Sequence, residues 1–328
     1  MHRRCVAQVA PAAIAALVVM SFVGLGGCRR APTDAATTDT TDLAPGSVRD
    51  EIGRVVTPRA LPARRVVSLA PNITELMFAV GAGAQLVGVD KYSDQPAPEV
   101  DRLPRVGSNY EPSLERIAGL APDLVFLSKS ANKRETAEAL ERMGIPTFLT
   151  ETPGLAEMGR TLRDVGRLTG HLAEAERELA RMEAGFAAVR ERTRALPHPR
   201  VLVAVWTQPL YVGGRGTFAH DLIELAGGEN VAREVEGFVT FPMERLLHLA
   251  PEVIILPTHA PETGAAPAVA AWKRWPTLPA VRDGRVFAVE DSLISRPGAR
   301  LVQGAELLAH LIHPELSPAG DRDVEQIR

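Results

Sequence analysis

The fold is decided by a stretch that the chain carries twice, as 114-LERIAGLAPDLVFL-127 and as 243-MERLLHLAPEVIIL-256. Six of the fourteen positions are identical, and most of the others are conservative. Each copy has the pattern of a short helix, a Pro-Asp or Pro-Glu turn and a buried apolar strand. We therefore interpret the folded chain as two similar halves.

A second pair of segments flanks this repeat in the same order. Residues 65-RVVSLA-70 and 200-RVLVAV-205 both have the pattern of a buried strand, and a helix ending at glycine (Gly81 or Gly227) follows each. Strands that alternate with helices favour parallel sheets. The prediction is an α/β fold of two small parallel-sheet lobes with a ligand cleft between them.

The segment between the halves is helical in pattern. Apolar residues recur at helical spacing over 155–168 and again, after Gly170, over 172–196. We therefore expect a long rigid α-helix to join the lobes, with only small lobe motions when a ligand binds. The predicted divisions are a signal peptide (1–27), a disordered tether (28–63), an N-terminal lobe (64–153), a backbone helix region (154–196), a C-terminal lobe (197–316) and a flexible tail (317–328).

The N-terminus has the order of charges and apolar residues that is typical of a secretion signal. Arg3 and Arg4 precede an apolar run over 6–23, and 25-LGGC-28 resembles the bacterial lipobox. We expect Cys28 to carry a lipid that anchors an exported protein on the periplasmic or cell-surface side of a membrane. A plain cleaved signal is the alternative. The Thr- and Asp-rich residues that follow lack any apolar period, which favours a disordered tether.

Several function classes are disfavoured by composition and motifs. The net charge is −3 with acids and bases interspersed, so no basic stripe indicates nucleic-acid binding. No nucleophile elbow, phosphate loop or His-Glu-x-x-His helix is present, and the histidines are scattered. We expect a monomeric protein that is not an enzyme, has no metal site of its own and needs no cofactor.

Aromatic residues indicate where a small ligand would bind. All three tryptophans and all three tyrosines fall in loops or at strand ends, and ligands of open α/β sheets bind beyond the carboxyl ends of the strands. We assign Trp272 and Trp275 to packing. The remaining four are candidates to line a cleft between the lobes: Tyr92, Tyr110, Trp206 and Tyr211.

Charged residues before the last predicted helix add two more candidates. Asp291 and Arg296 precede the helix over 301–312, and Arg296 lies next to Pro297, a favourable first helical residue. Together they could hold an anionic or amide-rich ligand group. We expect Arg300 to be solvated.

Four segments carry a resemblance to a known family: 65-RVVSLAPNITE-75, 88-GVDKYSD-94, the repeat at 114–127 and 295-SRPGAR-300. Together they resemble the helical-backbone periplasmic binding proteins of ABC importers, and among these most closely the cobalamin-binding proteins. The resemblance implies a protein that captures cobalamin or a related corrinoid, which carries its own metal, and delivers it to a permease. A ferric siderophore or haem is the alternative ligand, and a membrane-anchored α/β enzyme is the alternative from another class.

The resemblance also implies roles for particular residues. Glu115 and Glu244 match the glutamates, one on each lobe, that contact the permease dimer. Aromatic rings pack on the corrin in this family, which matches Tyr92, Tyr211 and Phe238, and polar contacts come from the loop of Asp291 and Arg296. Two positions depart from the pattern: Asn109, next to Tyr110, and Ser128 stand where the family carries tryptophans. We keep Asn109 among the candidate ligand-binding residues.

Overall fold

The structure, a computed structural model, describes residues 47–258 and 261–316. The predicted signal peptide, Cys28, the first part of the predicted tether and the predicted tail lie outside the described residues. Within the described part, none of the helices combines the length and apolar character that crossing a membrane would require.

A short hairpin precedes the N-terminal lobe, where the sequence predicts a disordered tether. Its strands are antiparallel, β1 (Val48–Arg49) and β2 (Val55–Val56). The backbone N–H of Glu51 donates to the carbonyl of Leu149 on the lobe, and the Arg59 guanidinium donates to the carbonyl of Gly144. The prediction of disorder is therefore wrong from residue 47 onward, because bonds to the lobe order a segment that has no apolar period of its own.

The N-terminal lobe is built on a four-stranded parallel sheet. Its strand order is β4-β3-β5-β6, so the chain starts in an inner strand and adds neighbours on both sides. The elements are β3 (Val66–Ser68), α1 (Pro71–Ala79), β4 (Leu86–Val89), α2 (Leu114–Gly119), β5 (Leu124–Ser128), α3 (Arg134–Arg142) and β6 (Thr147–Thr150), with 3-10 turns at Gly83–Gln85 and Val100–Arg102.

Two helices join the lobes, α4 (Leu155–Thr169) and α5 (Leu172–Thr193). They meet at Gly170, whose φ of 79° ends α4 in the left-handed conformation that glycine adopts without strain. The helices pack on each other, with α4 also against α1 and α5 also against the last helix of the chain. The predicted long helix corresponds to α5, and α4 packs beside it.

The C-terminal lobe contains a six-stranded mixed sheet. Strands β10-β8-β7-β11-β12 follow one another and β9 pairs with β7; the pairs β7–β8 and β8–β10 are antiparallel, and the others are parallel. The elements are β7 (Arg200–Thr207), β8 (Leu210–Gly213), α6 (Phe218–Leu225), β9 (Glu229–Asn230), β10 (Phe238–Thr240), α7 (Met243–Leu249), β11 (Val253–Thr258), α8 (Pro261–Trp272), α9 (Pro279–Arg282), β12 (Val286–Glu290), α10 (Asp291–Ile294) and α11 (Leu301–Ile312), with a 3-10 turn at Pro314–Leu316.

The predicted two-lobe α/β fold is confirmed, and the second sheet differs from the expected parallel one in its edge. Gln208 and Pro209 are the two residues between β7 and β8. A connection of two residues is too short for a crossover, so β8 returns antiparallel to β7.

Both helices of the repeated stretch end in the same unusual backbone conformation. Ala121 follows α2 with φ 45°, and Ala250 follows α7 with φ 47°. Among the described residues these are the two non-glycine residues with positive φ. An alanine in this region is strained, so the shared conformation indicates that the surroundings of the two turns impose the same geometry.

Each turn is held by a matching pair of an arginine and a carboxylate. The carboxylate of Asp123 accepts the backbone N–H of Arg65 at 3.0 Å, and that of Glu252 accepts the backbone N–H of Arg200 at 3.0 Å. Both guanidinium groups donate back to the carbonyl of the strained alanine, over 3.2 and 3.1 Å. The same three kinds of residue, an arginine, an alanine and an acidic residue, follow in the same chain order in both halves, which supports duplication of one lobe.

Successive side chains of each strand point to opposite faces of its sheet, so the apolar core consists of separate clusters on the two faces. One face of each sheet packs on the joining helices and forms a single cluster that spans both lobes, with Val66 and Val201 among its members. The opposite face of each sheet forms a local core, with Val67 in the N-terminal lobe and Leu202 in the C-terminal lobe. Trp272, 2% exposed, belongs to the latter, which confirms its assignment to packing.

Candidate functional site

A cleft between the lobes lies beyond the carboxyl ends of strands from both sheets. Its larger chamber has a volume of about 640 Å³, and the ends of β4, β11 and β12 contribute to it. This is where open α/β sheets bind ligands. The lining residues are Pro71, Lys91, Tyr92, Asp94, Asn109, Thr258, Glu290, Asp291, Ser292 and Arg296.

A smaller chamber of about 290 Å³ adjoins it, and Pro71 and Arg296 border both. One side of the smaller chamber is aromatic: the rings of Phe218 and Phe238 are 5.6 Å apart, and Tyr211 stacks on Phe238 at 6.3 Å. Its other lining residues are Asn72, Ser128, Ser130, Ala131, Glu151, Thr152, Pro153, Ser295 and Pro297.

Five of the predicted ligand-binding residues line these chambers. Tyr92, Asn109, Asp291 and Arg296 line the larger one, and Phe238 lines the smaller. They come from both lobes, so the topology brings together side chains that are far apart in the chain.

The other three predicted residues lie outside the lining. Tyr211 lies behind the wall of the smaller chamber, where its ring stacks on the lining residue Phe238. Tyr110 and Trp206 border neither chamber, and each is 61% exposed. Tyr110 lies under the Lys133 ammonium, 4.1 Å from the ring centre, and the Trp206 indole donates to the Gln208 carbonyl. Their role in ligand binding stays a prediction.

A buried carboxylate positions the loop of Tyr92. Asp90, fully buried, accepts the backbone N–H of Tyr92 at 2.8 Å and the hydroxyl of Ser93 at 2.6 Å. Burial raises the pKa of Asp90, and these two hydrogen bonds oppose that rise. Ser93 in turn lies 2.8 Å from the hydroxyl of Thr74 on α1. The loop is therefore held to the N-terminal lobe before any ligand arrives.

An ion cluster lies across the cleft and joins the lobes. It consists of Glu75 and Asp94 from the N-terminal lobe and Glu290, Arg296 and Arg300 from the C-terminal lobe. The Arg300 guanidinium donates to both oxygens of Glu75, at 3.1 and 3.2 Å, and Arg296 donates to Asp94. Arg300 also lies 3.5 Å from Glu290.

One expectation about these residues is wrong. Arg300 is not simply solvated, because it pairs with the buried Glu75 of the other lobe. The sequence holds no signal for a pair that is 225 positions apart. Asp94, by contrast, lies in the segment 88–94 that carries the resemblance.

Burial and ion pairing shift the pKa values of Glu75 and Asp94 in the ion cluster in opposite directions. Burial raises the pKa of Glu75, although the hydrogen bond and charge of Arg300 oppose it. For Asp94, burial also acts to raise the pKa, but the hydrogen bond and charge of Arg296 outweigh it and the pKa is lowered. Removing one partner of a buried ion pair costs about 3–5 kcal/mol, a range that applies to Arg300 and Glu75, whose side chains are 21% and 4% exposed.

The glutamates of the repeat lie on the surface. Glu115 is exposed in the first turn of α2, and Glu244 is exposed in the first turn of α7. In the described part of the chain neither carboxylate pairs with a cation. The duplicated structure therefore presents one unpaired negative charge at the same place on each lobe.

No metal centre is formed by the described residues: nowhere do three or more His, Cys, Asp or Glu side chains lie as a group that could hold an ion.

Two α/β lobes that are joined by packed helices and enclose a cleft at the strand ends define a two-lobed solute-binding protein. The chain belongs to the periplasmic binding protein family, whose model matches residues 66–293. The family resemblance stated from sequence is therefore confirmed.

Relatives and solved structures agree with this membership. The ABC transporter substrate-binding lipoprotein YvrC of Bacillus subtilis (strain 168) is 28% identical over 93% of this chain and 98% of its own. The vitamin B12-binding protein of Pectobacterium atrosepticum is 30% identical over 79% of this chain and 92% of its own. The periplasmic heme-binding protein RhuT from Roseiflexus sp. RS-1 superposes with a TM-score of 0.69 at 29% identity, covering 78% of this chain and all (100%) of its own.

The coarse function follows from the family. The chain is a substrate-binding protein of an ABC transporter, working outside the cytoplasm, and such proteins deliver small molecules to a permease. The family is one of solute carriers and not of enzymes, which confirms the prediction of a non-enzymatic protein.

Proposed function

We propose that the protein captures cobalamin or a related corrinoid in the cleft and hands it to a permease. The observation that carries the proposal is the charge of the larger chamber. Its lining holds three carboxylates, Asp94, Glu290 and Asp291, against two cations, Lys91 and Arg296. Arg296 is already bound by Asp94, so Lys91 is the one cation among the described lining residues that is not held in an ion pair, and the carboxylates of the chamber outnumber it.

This charge balance favours one kind of chelate over others. A corrinoid carries a rim of neutral amides, which donate to carboxylates and accept from amide or ammonium groups such as those of Asn109 and Lys91. Haem carries two carboxylates, and catecholate siderophores are strongly anionic. Both would need unpaired cations, because anions bind where cationic groups remain free to pair with them.

The aromatic side chains suit a flat ligand. Tyr92 is 47% exposed on the larger chamber, and Phe238, backed by Tyr211, faces the smaller one. Rings in a cleft bury large apolar areas against a planar macrocycle at low entropic cost. Asn109 and Ser128 supply no ring, so the contact rests on fewer aromatic groups than the family pattern implies.

Similarity supports the proposal from another direction, since the relative that is named a vitamin B12-binding protein is 30% identical over most of both chains. The second candidate ligand is haem. It is favoured by the likeness to RhuT and by the phenol of Tyr92 in the cleft, because a tyrosine can ligate haem iron.

A competition among coloured ligands tests the proposal. The purified protein is mixed with equal amounts of cyanocobalamin, hemin and a ferric catecholate siderophore, passed through a desalting column and read by its absorbance spectrum. We expect the retained chromophore to be cobalamin, since its neutral amide rim fits the charge of the cleft. Retention of hemin or of the siderophore instead would assign the protein to iron uptake.

We further propose that Cys28, which lies outside the described residues, carries a lipid anchor. The lipobox-like sequence supports it, and one relative is named a lipoprotein. Cys28→Ser in the full-length protein should move it from the membrane fraction to the soluble fraction, because serine has no thiol to which the lipid could be attached. A serine variant that is processed yet stays on the membrane would show that another group anchors the protein.

Docking to the permease is the last part of the proposal. We assign it to Glu115 and Glu244, whose equivalent positions suit a partner with two similar halves and a basic face. A monomer that carries both glutamates would span the permease dimer.

A further inference from the structure

Arg296 is the charged residue that lines both chambers of the cleft in the described part of the chain. Its side chain is 16% exposed and borders both chambers, from the loop between α10 and α11. A guanidinium at the centre of a cleft is the group that binds carboxylates and catecholates best, because its planar fork matches their paired oxygens. Here that fork faces protein carboxylates.

The buried side of the guanidinium faces Glu75. This carboxylate is 5% exposed, and Arg300 occupies both of its oxygens. The nearest nitrogen of Arg296 lies 3.8 Å from the same carboxylate. Glu75 therefore binds Arg300 fully and keeps Arg296 close to a fixed negative charge.

The open side of the guanidinium is covered by Asp94. Both carboxylate oxygens of Asp94 contact Arg296, the second at 3.4 Å, and the Asp94 side chain is 59% exposed on the larger chamber. A ligand carboxylate that approached Arg296 would have to displace Asp94 and would leave that carboxylate facing it. Such a ligand meets a like charge at the place where it would need a cation.

We propose that Asp94, with Glu75 beneath it, is the selectivity residue of the cleft and rejects anionic chelates by occupying Arg296. The inference rests on the proposed function, since it explains how the same cleft prefers a neutral amide-rimmed ligand. Discrimination of this kind arises from a cost imposed on the wrong ligand as well as from contacts to the right one.

The test replaces the charge of Asp94 while keeping its shape. For Asp94→Asn we expect the affinity for hemin to rise by about tenfold or more, because the freed guanidinium pairs with a propionate. Hemin dimethyl ester, which lacks the free carboxylates, should change by less than about threefold. Asp94→Glu, which retains the charge, should bind hemin as the wild type does.

A matched control removes a different Asp–Arg pair. Asp283 pairs with Arg282 at 2.7 Å, on the turn before β12 and so at the opposite end of that strand from the cleft. Asp283→Asn should leave hemin affinity unchanged. The inference is overturned if Asp94→Asn binds hemin no better than the wild type, or if the ester gains as much as hemin does. Failure of the wild type to bind cyanocobalamin would overturn the proposed function instead, and the comparison between hemin and its ester would still stand.

Discussion

Reversing Glu115 and Glu244 to lysine together should reduce ligand uptake by whole cells at least about a hundredfold. Both side chains are exposed, at equivalent positions of α2 and α7, and neither is engaged by a cation in the described part of the chain. If they dock on a basic permease surface, each reversal replaces an attraction by a like-charge contact, which costs several kcal/mol. The uptake of radiolabelled cyanocobalamin measures the loss.

The ligand affinity of the purified double variant should stay the same, because neither glutamate lines the cleft. The charge-matched control is Glu135→Lys with Glu183→Lys, two exposed glutamates on α3 and α5. It should take up ligand normally. Equal loss in the control would show that overall charge, and not docking at these two positions, governs uptake. Normal uptake by the Glu115 and Glu244 variant would remove both residues from the docking surface.

Asp164→Asn should stabilise the protein by about 2–4 kcal/mol at pH 8. Asp164 lies in α4 and is 5% exposed. Burial raises its pKa from an ordinary 3.8 to about 7, with Glu51 acting in the same direction and Arg167, Arg160 and Arg163 opposing it. The native protein therefore carries a carboxylate that is costly to ionise.

The sign of the pH dependence follows from proton binding. Between about pH 4 and pH 7 the native state keeps a proton on Asp164 that the unfolded chain has released, so stability falls as the pH rises through this window. Asparagine is neutral at every pH, so ionisation at this position does not lower the stability of the variant as the pH rises. The advantage of the variant should therefore be complete above about pH 7 and shrink below about 1 kcal/mol at pH 4.

Urea unfolding of both proteins at pH 8 and pH 4 measures this difference. The control is Asp101→Asn, an exposed aspartate whose replacement should change the free energy of unfolding by less than about 0.5 kcal/mol at either pH. A variant that is less stable than the wild type at pH 8 would mean that the ionised carboxylate is stabilised by Arg167 more than burial penalises it.

Local sequence patterns predicted the parts of the fold that depend on neighbouring residues. The repeat at 114–127 and 243–256 located α2, β5, α7 and β11, because the periodicity of a helix or a strand can be recognised within a short stretch of sequence. The rule that ligands bind beyond strand ends predicted Tyr92, the charges before the last helix predicted Arg296, and both residues line the larger chamber. These predictions rest on residues that are close together in the sequence, so they do not require knowing how the two lobes are arranged.

Features that depend on distant contacts could not be predicted in the same way. The pairing of Glu75 with Arg300 exists only once two lobes are docked, and the hairpin of β1 and β2 is ordered by bonds to a lobe surface. Trp206 lies opposite Tyr211 in the β7–β8 hairpin and is 61% exposed, which its place at a strand end did not predict. In each case a tertiary contact decides what composition and periodicity leave open.

Calorimetric titration of the purified protein with cyanocobalamin tests most directly whether the cleft between the lobes binds a corrinoid. We predict saturable binding of one ligand per chain with a Kd below about 1 μM. The absence of heat and of any change in absorbance at ligand concentrations well above this value would contradict the account.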